Sequence, residues 1–165
     1  MRHPARLPDC AWSGIQTVFL TICTHGRRAL FVDHRIVSLV VVGFLQCCRV
    51  EQFDVLAYCF MPDHMHALLR GTGATGRAVG LFRAVKQLTG YQFKQAYGSQ
   101  LWQRSFFDRT LRADEDLRAA IAYLVANPVR ARLVASPAEY RFWGSETYSR
   151  EEILEFVRCA DGKRP

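Results

Sequence analysis

Two strand-like runs separated by three residues constrain this chain most. Phe53 to Phe60 and His64 to Arg70 flank Met61-Pro62-Asp63, and so short a connection reads as an antiparallel hairpin. Pro62 belongs in the turn or at the strand's first residue, because a residue without an N–H has no place in a central ladder. Ile15 to Cys23, rich in Thr, Val, Phe and Ile, predicts an earlier strand closed by Thr24-His25-Gly26. Arg35 to Arg49 predicts a helix buried against a sheet, although Val40-Val41-Val42-Gly43 is poor helix-forming sequence. Ala74 to Tyr97 predicts a second helix, with Val79, Phe82, Val85, Leu88 and Phe93 at roughly helical spacing and Gly98 at its end. Phe106 to Arg112 predicts a fourth strand, and Asp114 to about Asn127 a third helix.

The order βαββαβ followed by a helix predicts an α+β, ferredoxin-like fold. Such a fold is a four-stranded antiparallel sheet with its helices on one face and the opposite face left open for a substrate or partner. The aromatics Tyr140, Trp143, Tyr148 and Phe156 predict a C-terminal segment that packs back on the domain, with Ser149-Arg150-Glu151-Glu152 as a helix start. At 165 residues the chain is expected to form a single domain, 1–165.

The formal charge of +7 arises from 22 Lys and Arg against 15 Asp and Glu, and many of the basic residues fall between Arg70 and Arg132. That concentration points to an anionic partner, most commonly nucleic acid. Cys10, Cys23, Cys47, Cys48, Cys59 and Cys159 lack C-x-x-C spacing and read as core thiols in a reducing compartment. The N-terminal residues run into no apolar h-region and no segment approaches 18 consecutive apolar residues, so a cytoplasmic protein without a membrane span is expected.

Alternate side chains of a strand share a face, so His64 and His66 point the same way, about 7 Å apart at a rise of roughly 3.4 Å per residue. That geometry can hold one divalent ion, and it turns Asp63 and Met65 to the other side of the sheet. On the third helix, Tyr123 and Asn127 stand four residues apart, on the flank of the stripe formed by Leu117, Ile121 and Leu124. A phenol there can reach a bound phosphate, and an amide oxygen can complete a hard-metal site that two imidazoles begin. Pro128 disfavours helical geometry at Asn127, so this pairing requires the helix to persist to its last residue. Each feature alone also suits ordinary structure: histidines on a half-exposed strand, a tyrosine with its hydroxyl in water, an asparagine ending a helix.

Met61-Pro62-Asp63-His64-Met65-His66 together with Tyr123-Leu124-Val125-Ala126-Asn127-Pro128-Val129-Arg130 resembles the single-tyrosine transposases of the HUH endonuclease superfamily. The likeness is greatest to the branch associated with repetitive extragenic palindromes (REP). Trp102-Gln103-Arg104-Ser105-Phe106-Phe107-Asp108 and Thr17-Val18-Phe19-Leu20-Thr21 add to it, and it covers a core of about 12–148, leaving 149–165 as a C-terminal extension. The resemblance implies that His64 and His66 bind a metal, Mg2+ or Mn2+, that Asn127 is a third, polar ligand, and that Tyr123 is the nucleophile. It further implies cleavage of single-stranded DNA beside a folded hairpin through a 5′-phosphotyrosine, by a monomer or a homodimer. Arg132 stands where relatives often carry glycine, and Arg109 where they often carry histidine.

Contact with DNA is expected from Arg77, Arg83, Lys86 and Lys94 on the second helix and from Arg104, Arg112 and Arg130 nearer the site, with Trp102 or Phe106 stacking on bases. Two other classes fit the same residues. One is a non-catalytic ferredoxin-like nucleic-acid-binding domain in which the histidines are incidental. The other is a metal-dependent hydrolase of small phosphoesters in which water is the nucleophile.

Overall fold

In the computed structural model, which describes residues 16–73, 78–104, 107–111 and 116–162, strands β1 (Thr17–Cys23), β2 (Phe53–Met61), β3 (His64–Gly71), β4 (Phe107–Thr110) and β5 (Trp143–Gly144) form one sheet in the order β4-β1-β3-β2-β5. Every neighbouring pair is antiparallel. The first four strands therefore have the expected ferredoxin-like order, and the two-residue β5 extends the sheet beyond β2. The helices are α1 (His34–Val50), α2 (Ala78–Tyr97), α3 (Leu117–Val125), the single-turn α4 (Asn127–Arg130) and α5 (Arg150–Asp161). No helix among the described residues is long and apolar enough to cross a membrane.

Period-two alternation divides the sheet into two cores. Val18, Leu20 and Ile22 of β1 and Met65, Ala67 and Leu69 of β3 pack with Val37, Val40 and Phe44 of α1 and Leu81, Phe82 and Val85 of α2. The helix-poor sequence in α1 has a packing reason. A Cβ on Gly43 would lie 2.8 Å from Thr89 Cγ2 of α2, so only glycine lets the two helices approach this closely.

The opposite face is not open, contrary to the sequence expectation. Ile121, Ala122, Leu124 and Val125 of α3 and Ile153 and Val157 of α5 cover Leu56, Ala57, Cys59, Met61 and Leu68. An irregularity in the β2–β3 register between Val55 and Ala57 lets Leu56 and Ala57 both join this second core.

Local signals explain how these covering helices are set. Asp116 caps α3, its carboxylate accepting from the N–H groups of Arg118 and Ala119; the expected start at Asp114 lies outside the described residues. Ser149 and Glu152 close a reciprocal capping box at the start of α5, where the sequence places it. Between them, the Tyr140 hydroxyl donates to the Phe60 carbonyl at 2.7 Å and the Trp143 indole N–H donates to the Pro137 carbonyl at 2.8 Å. The C-terminal segment thereby seals the edge of β2.

Candidate active site

β3 places His64 and His66 on the face shared with α3, each opposite a residue of β1: Cys23 pairs with His64 and Thr21 with His66. The two rings meet edge to face with centroids 4.7 Å apart, and their Nε2 atoms face each other at 3.1 Å. Two nitrogens bound to one ion at about 2.1 Å stand about 3.0–3.4 Å apart for ligand angles between a right angle and the tetrahedral angle. The spacing thus suits a shared divalent ion.

The far nitrogens are held as well. His64 Nδ1 is 2.6 Å from Asp63 Oδ1, and His66 Nδ1 is 2.8 Å from Thr21 Oγ1. Such outer partners fix ring orientation and leave the inner nitrogens to a metal. Burial foremost, and then the charges of His64, Arg130 and Arg27, push His66 down to about 3, so its imidazole is neutral at physiological pH and keeps a lone pair for ligation. Among the described residues no third His, Cys, Asp or Glu joins the pair.

Asp63 stands on the histidine side, not on the opposite side of the sheet where strand alternation would turn it. It sits in the hairpin turn ahead of β3, so strand alternation does not govern it, and its carboxylate reaches back to His64. Partial burial alone would raise its pKa, but the hydrogen bond and charge of His64 and then those of Arg27 hold it below the usual carboxylate range. Arg27 Nη1 donates to Asp63 Oδ2 at 3.1 Å from a residue with φ +56°. The turn itself is tied to the loop after β1: Thr24 N–H and Oγ1 donate to the Asp63 carbonyl, and Phe31 N–H donates to the Pro62 carbonyl. Glycine at 26, with φ +64°, supplies the left-handed step this loop needs.

Tyr123 is 56% exposed on α3, beside the buried residues Ala122 and Leu124 that seat the helix on the sheet. Pro128 interrupts the helix after Val125, yet Asn127 to Arg130 resume it at once through a near-helical Ala126. Pro128 has no N–H to offer Leu124, four residues earlier, and Asn127 Nδ2 donates to that carbonyl instead at 2.9 Å. Arg130 completes the segment: its Nη1 donates to the Tyr123 carbonyl at 2.8 Å, its Nη2 to Asn127 Oδ1, and its Cζ lies 3.6 Å from the centre of the Tyr123 ring.

Tyr123, Asn127 and Arg130 are therefore joined to one another, as His64 and His66 are. Among the described residues no hydrogen bond runs between the two groups; what connects them is α3 packed on β2 and β3 and the Arg130 charge felt at His66. The turn that follows has Arg132 at φ +58°, a conformation that favours glycine.

The other sequence-derived DNA contacts separate. Arg77, Phe106 and Arg112 lie outside the described residues. Arg83 and Lys94 are exposed, but α2 packs on the sheet face away from the histidines, so they do not join this site. Lys86 Nζ donates to the Gln103 and Arg104 carbonyls and braces the loop after α2. Trp102 is a correction: at 4% exposure its indole N–H donates to Thr89 Oγ1 and its ring packs near Phe31, which leaves no face for a base. Arg104 is exposed.

Residues 16–127 match the model of the family described as transposase IS200 like. A REP-associated tyrosine transposase of Escherichia coli is 24% identical over 127 residues, covering 76% of this chain and 74% of that protein. A Haemophilus influenzae protein assigned as a REP-associated tyrosine transposase is 31% identical over 99 residues; the match covers 53% of this chain and about half, 56%, of that relative. A solved REP-associated tyrosine transposase bound to a REP hairpin superposes with a TM-score of 0.70 at 22% identity, over 87% of this chain and 82% of that one.

Proposed function

Because the chain belongs to the IS200-like transposase family, we propose that it cleaves and rejoins single-stranded DNA next to a hairpin, with Tyr123 as the nucleophile. The observation that carries this reading is the pair of Nε2 atoms facing each other at 3.1 Å with both Nδ1 atoms held from behind. Two histidines incidental to a binding surface need neither the facing nor the backing.

In the proposed reaction the Tyr123 oxygen attacks a backbone phosphorus and the bond to the 3′ oxygen breaks. The phenol proton ends on that oxygen, leaving a 5′-phosphotyrosine and a free 3′-hydroxyl. The covalent link conserves the energy of the broken bond, so a second 3′-hydroxyl can reverse the step without a nucleotide cofactor. A free tyrosine has a pKa of about 10, so charge stabilisation at the phosphate is needed at neutral pH. A divalent ion, Mg2+ or Mn2+, on His64 and His66 with Asn127 as a third ligand supplies that stabilisation when bound. Asp63 and Thr21 hold the imidazoles in ligating orientation, and the exposure of Tyr123 gives a strand access to the phenol. Arg104 and Arg130 contact backbone phosphates. The hairpin enters by likeness to the solved relative bound to one.

The test is incubation of a labelled hairpin oligonucleotide bearing single-stranded flanks with protein and Mn2+ or Mg2+, followed by denaturing electrophoresis. A labelled species of protein mass that disappears with EDTA and in Tyr123→Phe supports the proposal. Cleaved DNA without an adduct, persisting in Tyr123→Phe, replaces it with water-mediated hydrolysis. Binding that survives EDTA, with no cleavage across REP-like sequences, replaces it with a binding domain.

A further inference from the structure

Three contacts converge on one exposed side chain. The Arg130 guanidinium covers the Tyr123 ring, donates to the Tyr123 carbonyl and donates to Asn127 Oδ1. The stacking distance of 3.6 Å is well within the range of a cation–π contact. Asn127 is thus engaged at both ends of its amide, Nδ2 by the Leu124 carbonyl and Oδ1 by Arg130. An amide oxygen that already accepts from a cation is a poor ligand for a second one, since two positive groups on one small dipole repel each other across it.

The arrangement is also reversible by the right partner. A guanidinium pairs bidentately with a phosphate through bonds in which both partners are charged, whereas the oxygens Arg130 now holds are neutral, and Arg130 is exposed to receive a phosphate. We propose that Arg130 is a positioning residue that latches the nucleophilic segment, holding the Tyr123 ring and withholding Asn127 Oδ1 from the metal until a phosphate of the strand draws the guanidinium away. The inference rests on the strand-cleaving function proposed above. It makes ion and strand binding mutually reinforcing, because each removes an obstacle to the other. A strand would complete the metal site only where it is to be cut.

The test uses Mn2+ alone, titrated calorimetrically into the wild-type protein, Arg130→Gln, Asn127→Ala, the double variant and His64→Ala. Release of one charge-assisted bond corresponds to roughly tenfold tighter Mn2+ binding in Arg130→Gln. That gain should shrink in the Asn127→Ala background to the part owed to the Arg130 charge felt at His66, as a double-mutant cycle reads directly, and adding an uncut oligonucleotide to a Tyr123→Phe protein should tighten Mn2+ binding by a similar factor. Unchanged or weaker binding in Arg130→Gln overturns the latch, and so does a gain of undiminished size in Asn127→Ala, which would reflect charge removal alone. If Arg130→Gln does not fold, Arg130→Lys keeps the charge without the fork: tighter Mn2+ binding supports the latch and unchanged binding overturns it. Mn2+ binding lost in His64→Ala but unmoved by Arg130→Gln sinks the latch and leaves the metal site standing. Mn2+ binding indifferent to His64→Ala sinks both.

Discussion

The two faces of β3 have opposite chemistry. Toward α1 and α2 the strand presents Met65, Ala67 and Leu69, each fully buried, in a core built from apolar side chains. Toward α3 it presents Leu68 to a second core but His64 and His66 at the end where that core stops. One strand serves both, because period-two alternation sends successive residues to opposite sides. The difference teaches that chemistry is confined here by residue parity: both faces bury a core, and the face toward α3 carries the histidines at the end where packing gives way to solvent.

The sharpest way to break this contrast is to truncate each face in turn. Met65→Ala is expected to cost about 2–5 kcal/mol, as for a large side chain removed from a closed core, while the folded fraction still forms the DNA adduct. His64→Ala is expected to abolish the adduct with a smaller loss of about 1–2 kcal/mol, since the half-buried ring takes its bond to Asp63 with it. Chemical denaturation and the adduct assay together read both, and a reversal of the two stability costs would end the division.

Gly43→Ala probes the closed side without removing an atom. The new Cβ meets Thr89 Cγ2, and overpacking of this kind costs about 1–3 kcal/mol; no loss would mean that α1 and α2 separate freely. On the other face, Asp63→Asn should lower Mn2+ affinity by about 10–100-fold, the general effect of losing an outer partner of a ligating histidine, measured by titration. It also has a pH signature. Because the folded-state pKa of Asp63 is depressed, its contribution to stability is present above the unfolded value of about 4 and lost as pH falls through the folded one. The stability gap between wild type and Asp63→Asn should therefore narrow in acid. The smallest effect is expected at the turn after α4, where Arg132→Gly should add about 1 kcal/mol by relieving a left-handed conformation at a residue with a Cβ. An unchanged melting temperature would count against that strain.

Much of this was legible in the sequence, and the parts that were not share a cause. Alternation and the Met61-Pro62-Asp63 turn located β2, β3 and the shared face of His64 and His66, since those depend on neighbours in the chain. Coverage of the second face was not legible, because Ile121, Leu124, Ile153 and Val157 show only that α3 and α5 have apolar sides. Which side of the sheet receives them is a matter of chain path. Trp102 illustrates the same limit: an indole suits a stacked base or a core hydrogen bond to Thr89 equally well until its neighbours are known. Asp63 was misassigned because strand parity was carried one residue into a turn. Arg130 stood in the family-like motif, but its hold on Tyr123 and Asn127 depends on the break at Ala126, where the helix stops and resumes.

The most direct test of the central claim is the position of a bound ion. Crystals of the protein soaked in Mn2+ should give an anomalous difference peak between His64 Nε2 and His66 Nε2, about 2.1–2.3 Å from each, with the rings still held by Asp63 and Thr21. A peak elsewhere, or none between the imidazoles at saturating Mn2+, would contradict the account.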